Sequence, residues 1–257
     1  MCGADAITNK QQVDLEMVEG QGREGLMPRD DDGDYLARPG ILAIFNNVTP
    51  GREGEFEEWF QHEHLQERLD VPGFLLGRRY EAVRGEPRFF NLYVTRSVDV
   101  LASAEYRTRL NDPTPMTRMV MSEIFKDMIR TVCRQSFRIG AMRGAFAVAA
   151  RFAAPPDESA LKTALQDLAP DRGIACGEIW SPAPEGKLGS SEEERLRGGD
   201  RTLAACLVVE TLRMQDAERV AAGLSGQFPA AAVGVYRLLC EICRGASVAN
   251  PREERTP

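Results

Sequence analysis

Both histidines of this 257-residue chain, His62 and His64, lie in one short stretch, Trp59-Phe60-Gln61-His62-Glu63-His64-Leu65-Gln66-Glu67-Arg68. Imidazole gains or loses a proton near neutral pH without outside help. Flanked by Glu63, Glu67 and Arg68, the pair marks the place in this chain best suited to general acid/base chemistry. In that reading His64 is the acid/base, and Glu67 or a backbone carbonyl orients its ring. Arg68 or Arg79 stabilises developing negative charge, and His62 with Tyr80 supplies a second proton site. Trp59, Phe60, Arg79 and Tyr93 are the substrate-contacting candidates. Packing alone accounts for many helical histidines and strand tyrosines, so each assignment has a plainer competitor.

A helix must position these residues. Phe56, Trp59 and Phe60 form an apolar stripe with helical spacing, but Leu65 and Leu69 fall nearly opposite it, which predicts a bend or an end near His62 to His64. In a regular helix residues two apart point about 200° away from each other, so His62 and His64 converge only if the helix unwinds, whereas His64, Glu67 and Arg68 share a face.

The net charge of −7 and the pI near 5.1 argue against a nucleic-acid or membrane-surface binder. No run of eighteen apolar residues and no apolar N-terminal core is present, so the expected location is the cytoplasm. Cys2, Cys133, Cys176, Cys206, Cys240 and Cys243 are scattered as buried small hydrophobes would be. Cys240 and Cys243 have metal-like spacing, but on a strand they face opposite sides. No metal site is expected. Met116, Met119, Met121 and Met128 read as adaptable core or pocket lining. Phosphate loops, dinucleotide fingerprints and nucleophile elbows are missing from the sequence.

Residues 1–38 are polar with the acidic run Asp30 to Asp34 and read as a flexible arm, and residues 246–257 as a tail. Between them the pattern strand, helix, strand, strand, helix, strand occurs twice. The first set is Ile41 to Phe45, Glu53 to Gln61, Phe74 to Val83, Arg88 to Thr95, a helix from Asp99 to Leu110 capped by Asp99 and broken at Asn111 to Pro115, with another helical turn or two from Met116 to Phe125, and Met128 to Ile139. The second is Gly144 to Phe152, a helix opened by Pro156-Asp157, Gly173 to Trp180, Thr202 to Glu210, Gln215 to Ala222, and Val233 to Ile242. Ser181 to Asp200, rich in Pro, Gly, Ser and Glu, reads as an extended mobile loop. The expected fold is α+β: two tandem ferredoxin-like β-α-β-β-α-β units, residues 39–140 with the histidine site and 141–245 degenerate, packed sheet to sheet as a pseudo-dimeric α/β barrel.

Trp59, Glu63-His64-Leu65, Glu67-Arg68-Leu69, Val71-Pro72-Gly73-Phe74, Gly77-Arg78-Arg79-Tyr80 and Pro87-Arg88-Phe89 resemble the dimeric α/β barrel superfamily, particularly its EthD-like group. The likeness covers about Gly40 to Ile139. Such proteins include cofactor-free cyclases, isomerases and monooxygenases and haem-dependent dehydratases, so the resemblance implies the fold more firmly than the reaction. The expectation is a cofactor-independent lyase, dehydratase, cyclase or isomerase acting on a mostly apolar, oxygenated, aromatic-type small molecule, with a homodimer left open. Two rivals are a haem enzyme with an axial histidine and a non-catalytic small-molecule binding module.

Overall fold

The computed structural model describes residues 39–186 and 189–245, so the expected N-terminal arm and C-terminal tail lie outside the described residues. The first half runs β1 (Gly40–Val48), α1 (Glu53–Trp59), a π-helical turn (Phe60–His64), α2 (Leu65–Leu69), β2 (Phe74–Arg84) and β3 (Phe89–Thr95). After a 3-10 turn (Val98–Ala102) come α3 (Ala104–Asn111), α4 (Pro115–Met119) with a second π turn (Val120–Ile124), and β4 (Phe125–Gly140). The second half runs β5 (Phe146–Phe152), α5 (Glu158–Leu168), β6 (Ile174–Pro182), α6 (Glu192–Arg197), β7 (Ala205–Thr211), α7 (Met214–Gln227) and β8 (Ala232–Cys243).

Two local expectations need correction. Asp99 does not cap a helix; it sits inside the 3-10 turn, and Ser103, in extended conformation, caps α3 by accepting the Tyr106 amide at 3.2 Å. The segment expected to be an extended loop contains α6, capped by Ser191, whose hydroxyl accepts the Glu194 amide, and stopped by Gly198 at φ 81°. Asp157 caps α5 as its position after Pro156 predicted.

All strand pairings in the sheet are antiparallel, and the ring closes in the order β1-β3-β2-β8-β5-β7-β6-β4. Each half therefore has the ferredoxin-like order, β4-β1-β3-β2 and β8-β5-β7-β6, and the halves join edge to edge through β2–β8 and β4–β6. This is the expected two-unit α+β architecture, with hydrogen-bonded sheet edges added to the sheet contact.

Strand alternation then sorts the side chains. Ile41, Ala43, Phe45, Phe90, Leu92, Trp180, Cys206 and Tyr236 fill the barrel interior, while the outer faces pack against each half's own helices. Phe45 and Tyr80, on the two strands that flank β3, both stack on Phe90, at centroid distances of 4.4 and 5.0 Å. Beyond these rings the interior turns ionic: Arg78 and Arg143 approach Glu210 at 3.4 and 3.3 Å, and Arg138 approaches Glu178 at 3.4 Å. No helix among the described residues is long and apolar enough to cross a membrane.

Truncating Phe90 to Ala empties the centre of the stack and should lower the unfolding free energy by about 3–5 kcal/mol. The readout is the urea midpoint at constant m-value, and a loss under about 1 kcal/mol would remove this stack from the core of the barrel.

Candidate active site

The π turn decides where the imidazole goes. In a regular α-helix residues five apart point about 140° away from each other. Here the Leu65 amide donates to the Phe60 carbonyl, adding one residue to the turn. Trp59 and His64 consequently stack, with centroids 4.1 Å apart and planes at 29°, while Phe60 packs edge-on against His64 at 5.3 Å. The same phase shift buries Leu65 and Leu69 with Phe56 and Trp59, which resolves the conflict between the two stripes. Trp59 is pinned by Nε1–H donating to Thr117 Oγ1 at 2.9 Å, and Thr117 donates to Glu63 at 2.9 Å. Across the interface Gly77 permits close approach, because a Cβ there would meet Leu65 and Tyr93 at 3.0 Å.

His64 is 5% exposed and forms no hydrogen bond among the described residues, and its Nδ1 is buried without a partner. Burial first, then the positive charges of Arg68, Arg197 and Arg79, hold its pKa well below 6.5. The ring is therefore neutral at pH 7 and able to accept a proton. It lines a cavity of about 20 Å³, room for one water. Leu42, Met121, Phe125 and Met128 form part of the apolar wall; Arg68, Tyr93, Tyr106, Arg130, Glu193 and Arg197 form the polar one.

Arg68 donates to Glu193 at 2.5 Å, both side chains at most 4% exposed, yet its Nη1 has no partner. Burial works against the Arg68 charge, but Glu193, Tyr106 and Tyr93 together outweigh it and the pKa is raised. The Tyr93 hydroxyl is also buried and unpartnered, and burial raises its pKa so that it remains a proton-bearing donor. Arg197 is clamped by Asp200 at 2.8 and 3.0 Å and lies 3.7 Å from Glu193. Arg130 donates to the Tyr106 hydroxyl at 3.0 Å.

The sequence-derived candidates divide. His64, Arg68, Tyr93 and Phe60 line the cavity, and Trp59 backs the imidazole. His62 does not join them: its side chain is 68% exposed and Nε2 lies 3.7 Å from Glu58, because the added residue rotates His64 inward and leaves His62 on the far side. Glu67 does not orient the His64 ring. It pairs with Arg109 at 3.3 Å, and burial raises its pKa. Tyr80 points into the barrel, its hydroxyl 3.3 Å from Glu210, so it cannot serve as a second proton site beside His64. Arg79 is held by Glu57 at 2.8 and 2.9 Å with its guanidinium 4.2 Å over Phe60, and reaches His64 only through its field. Glu193, Arg197, Arg130 and Tyr106 were not foreseen. For Glu193 and Arg197 a signal was present, since Ser191-x-x-Glu194 followed by Gly198-Gly199 is a helix start and stop.

No family model matches the chain, and no curated protein does. Among solved structures, the chain is similar to an anthrone oxidase-like protein with TM-score 0.54 and 15% identity over 82% of this chain and 95% of that one. It is similar to a candidate monooxygenase from Fusobacterium nucleatum subsp. nucleatum ATCC 25586 with TM-score 0.51 and 9% identity over 82% and 97%. The likeness is one of fold: a dimeric α/β barrel, here closed within one polypeptide. A haem-binding protein from Thermus thermophilus also matches, with TM-score 0.43 and 11% identity over 79% and 91%.

The site does not fit haem. An axial histidine is oriented by an acceptor on its second nitrogen. His64 has none, one face of its ring is taken by Trp59, and the cavity presents guanidinium groups and Glu193.

Because the His64 pKa lies below 6.5 in the fold, the unfolded chain takes up this proton first as the pH falls. Stability contributed by the neutral ring is complete above about pH 6.5 and is lost toward the folded pKa. Urea midpoints measured from about pH 7.5 to 5.5 should fall more steeply for the wild type than for His64→Gln, and parallel curves would contradict the buried, neutral imidazole.

Proposed function

We propose that the first half of this chain is a cofactor-independent enzyme of the lyase, dehydratase, cyclase or isomerase type, acting by proton transfer on a mostly apolar, oxygenated, aromatic-type molecule. The observation that carries this reading is His64: a buried, neutral imidazole with a free nitrogen, in a cavity also lined by two residues with unpartnered donors, Arg68 through Nη1 and Tyr93 through its hydroxyl. A base and two hydrogen-bond donors thus line one cavity, the Arg68 fork being half engaged by Glu193, and proton abstraction next to a carbonyl needs such a base and such donors. Of the acid/base and charge-stabilising groups expected from the sequence, His64 and Arg68 keep their roles in this reading; the second half serves as structural partner.

The step balances without an oxidant. His64 takes a proton from the carbon beside a carbonyl, the C–H pair becomes the enolate double bond, and the displaced π pair moves to oxygen. Arg68 and Tyr93 hold that oxygen. Return of the proton at another carbon gives isomerisation, and expulsion of a group at the next carbon gives elimination.

Solvent deuterium exchange into a panel of aryl ketones in D₂O, followed by mass spectrometry, tests the abstraction directly. His64→Gln should slow exchange at least about a hundredfold. His62→Ala should exchange at the wild-type rate, since its ring lies on the outer surface. Exchange by His64→Gln as fast as wild type would end this reading.

A further inference from the structure

The polar wall of the His64 cavity carries three guanidinium groups, Arg68, Arg130 and Arg197, against one carboxylate, Glu193. Arg197 is already neutralised by Asp200. Arg130 pairs with no carboxylate among the described residues and donates to a phenol oxygen instead. Arg68 meets Glu193 through Nη2 alone, so half of its fork, Nη1, is buried with nothing to donate to. A guanidinium fork matches a carboxylate with two parallel hydrogen bonds, and this pairing uses one. The carboxylate comes from α6, a six-residue helix from the other half of the chain, 125 residues from Arg68 in sequence.

α6 is docked by polar contacts that water or another anion can replace. The Glu192 amide donates to Asn111 Oδ1 at 3.1 Å, Arg118 reaches Glu192 at 3.2 Å, and Arg201 exchanges backbone hydrogen bonds with Met128 and Arg130. Its one apolar residue, Leu196, packs against the first half's apolar core, and Arg197 reaches Met121 Sδ of that core at 3.3 Å. Beneath the same segment lies a second pocket of about 210 Å³, lined by Leu110, Val132, Pro182 and Leu203 and again by Arg130. Arg130 and α6 form the wall between the two spaces.

We propose that the His64 site takes an anionic aromatic substrate, a carboxylate or phenolate, and that Glu193 occupies the position of its charged oxygens until the substrate displaces it. The acid group takes both prongs of the Arg68 fork, and with Glu193 withdrawn the ring extends past Arg130 into the 210 Å³ space. The word substrate rests on the catalytic reading given above; the anion site itself stands on Arg68, Arg130 and Glu193.

Benzoate and its neutral isostere benzamide separate charge from shape. Because the chain has two histidines, isotope-labelled imidazole NMR resolves His64 from His62 during titration. Removing the competing carboxylate in Glu193→Ala should tighten benzoate binding at least about tenfold over wild type, change benzamide less than about twofold, and shift the His64 signals while leaving His62 still. Glu193→Gln, which keeps size and hydrogen bonding, should show the same preference with a gain of at least about threefold and stands in should the Ala variant fail to fold. The double variant Arg68→Met, Glu193→Ala should lose the gain. Unchanged benzoate affinity in both Glu193 variants, equal gains for benzamide, or a gain that survives loss of Arg68 would overturn the proposal. These titrations need no turnover, so their outcome is independent of the exchange experiment with His64→Gln.

Discussion

Each half of the chain lays down four strands with apolar side chains on both faces, but has helices for only one of them. Left alone, a half would expose Phe45, Phe90 and Leu92, or Trp180, Cys206 and Tyr236, and would present free strand edges. Closing β2 on β8 and β4 on β6 removes both liabilities together, because the inner faces bury one another and the ring has no edge. A covalent link makes the partner always present, which two separate chains obtain only by concentration. The closure also decides where chemistry can occur. With aromatic rings at the centre of the barrel and ion pairs toward one end, ligand space is left outside, between a sheet and its helices.

On that outer face the departure from regular winding at Phe60 to His64 does two things at once. It restores a continuous apolar stripe from Phe56 to Leu69, and it turns an imidazole inward onto Trp59. The first effect stabilises the fold. The second places a titratable group where burial and three arginines oppose its charge. Leaving buried donors and acceptors unpaired costs about 1–3 kcal/mol each, and His64 Nδ1, Arg68 Nη1 and Tyr93 Oη all lie unpaired around one small cavity. Buried unpaired atoms of Arg78, Arg79, Asn91, Arg151 and Tyr236 lie elsewhere, and the grouping of three such residues around one cavity is the feature on which the proposed role of His64 rests.

What could be read from sequence follows from the range of the interactions involved. Strand alternation, the caps at Asp157 and the repeated order of elements are local, and they show through. The mismatch between the Phe56-Trp59-Phe60 stripe and Leu65-Leu69 announced a change of winding, though its form required the structure. Register is not local. Tyr80 pairs with Phe90, three residues from Tyr93, so the two tyrosines face opposite sides of the sheet, a fact that residue types on neighbouring strands do not encode. The Arg68–Glu193 pair spans 125 residues. The Ser191-x-x-Glu194 cap was visible, but the Pro, Gly and Ser around it suggested an unstructured loop, and composition prevailed over a specific local signal.

The second half has no histidine on α5, where Leu161 and Leu165 are buried in its place, yet its Glu193 and Arg197 line the His64 cavity. Its β6 strand joins β4 of the first half, with Pro182 opposite Cys133 and the Ala183 amide donating to Val132. Any chain leaving β6 at that end therefore emerges beside the first half's cleft. The matching connection in the first half, between β2 and β3, is a tight turn at Gly85 to Arg88, whereas the one after β6 is long enough to carry α6 across the His64 cavity. Asymmetry of the two clefts thus follows from asymmetry of loop length on a nearly symmetric barrel. This connection belongs to neither the barrel strands nor the helix bearing the imidazole, so the charge that Glu193 and Arg197 bring to the cavity is set by residues separate from those that pack Trp59, His64 and Tyr93.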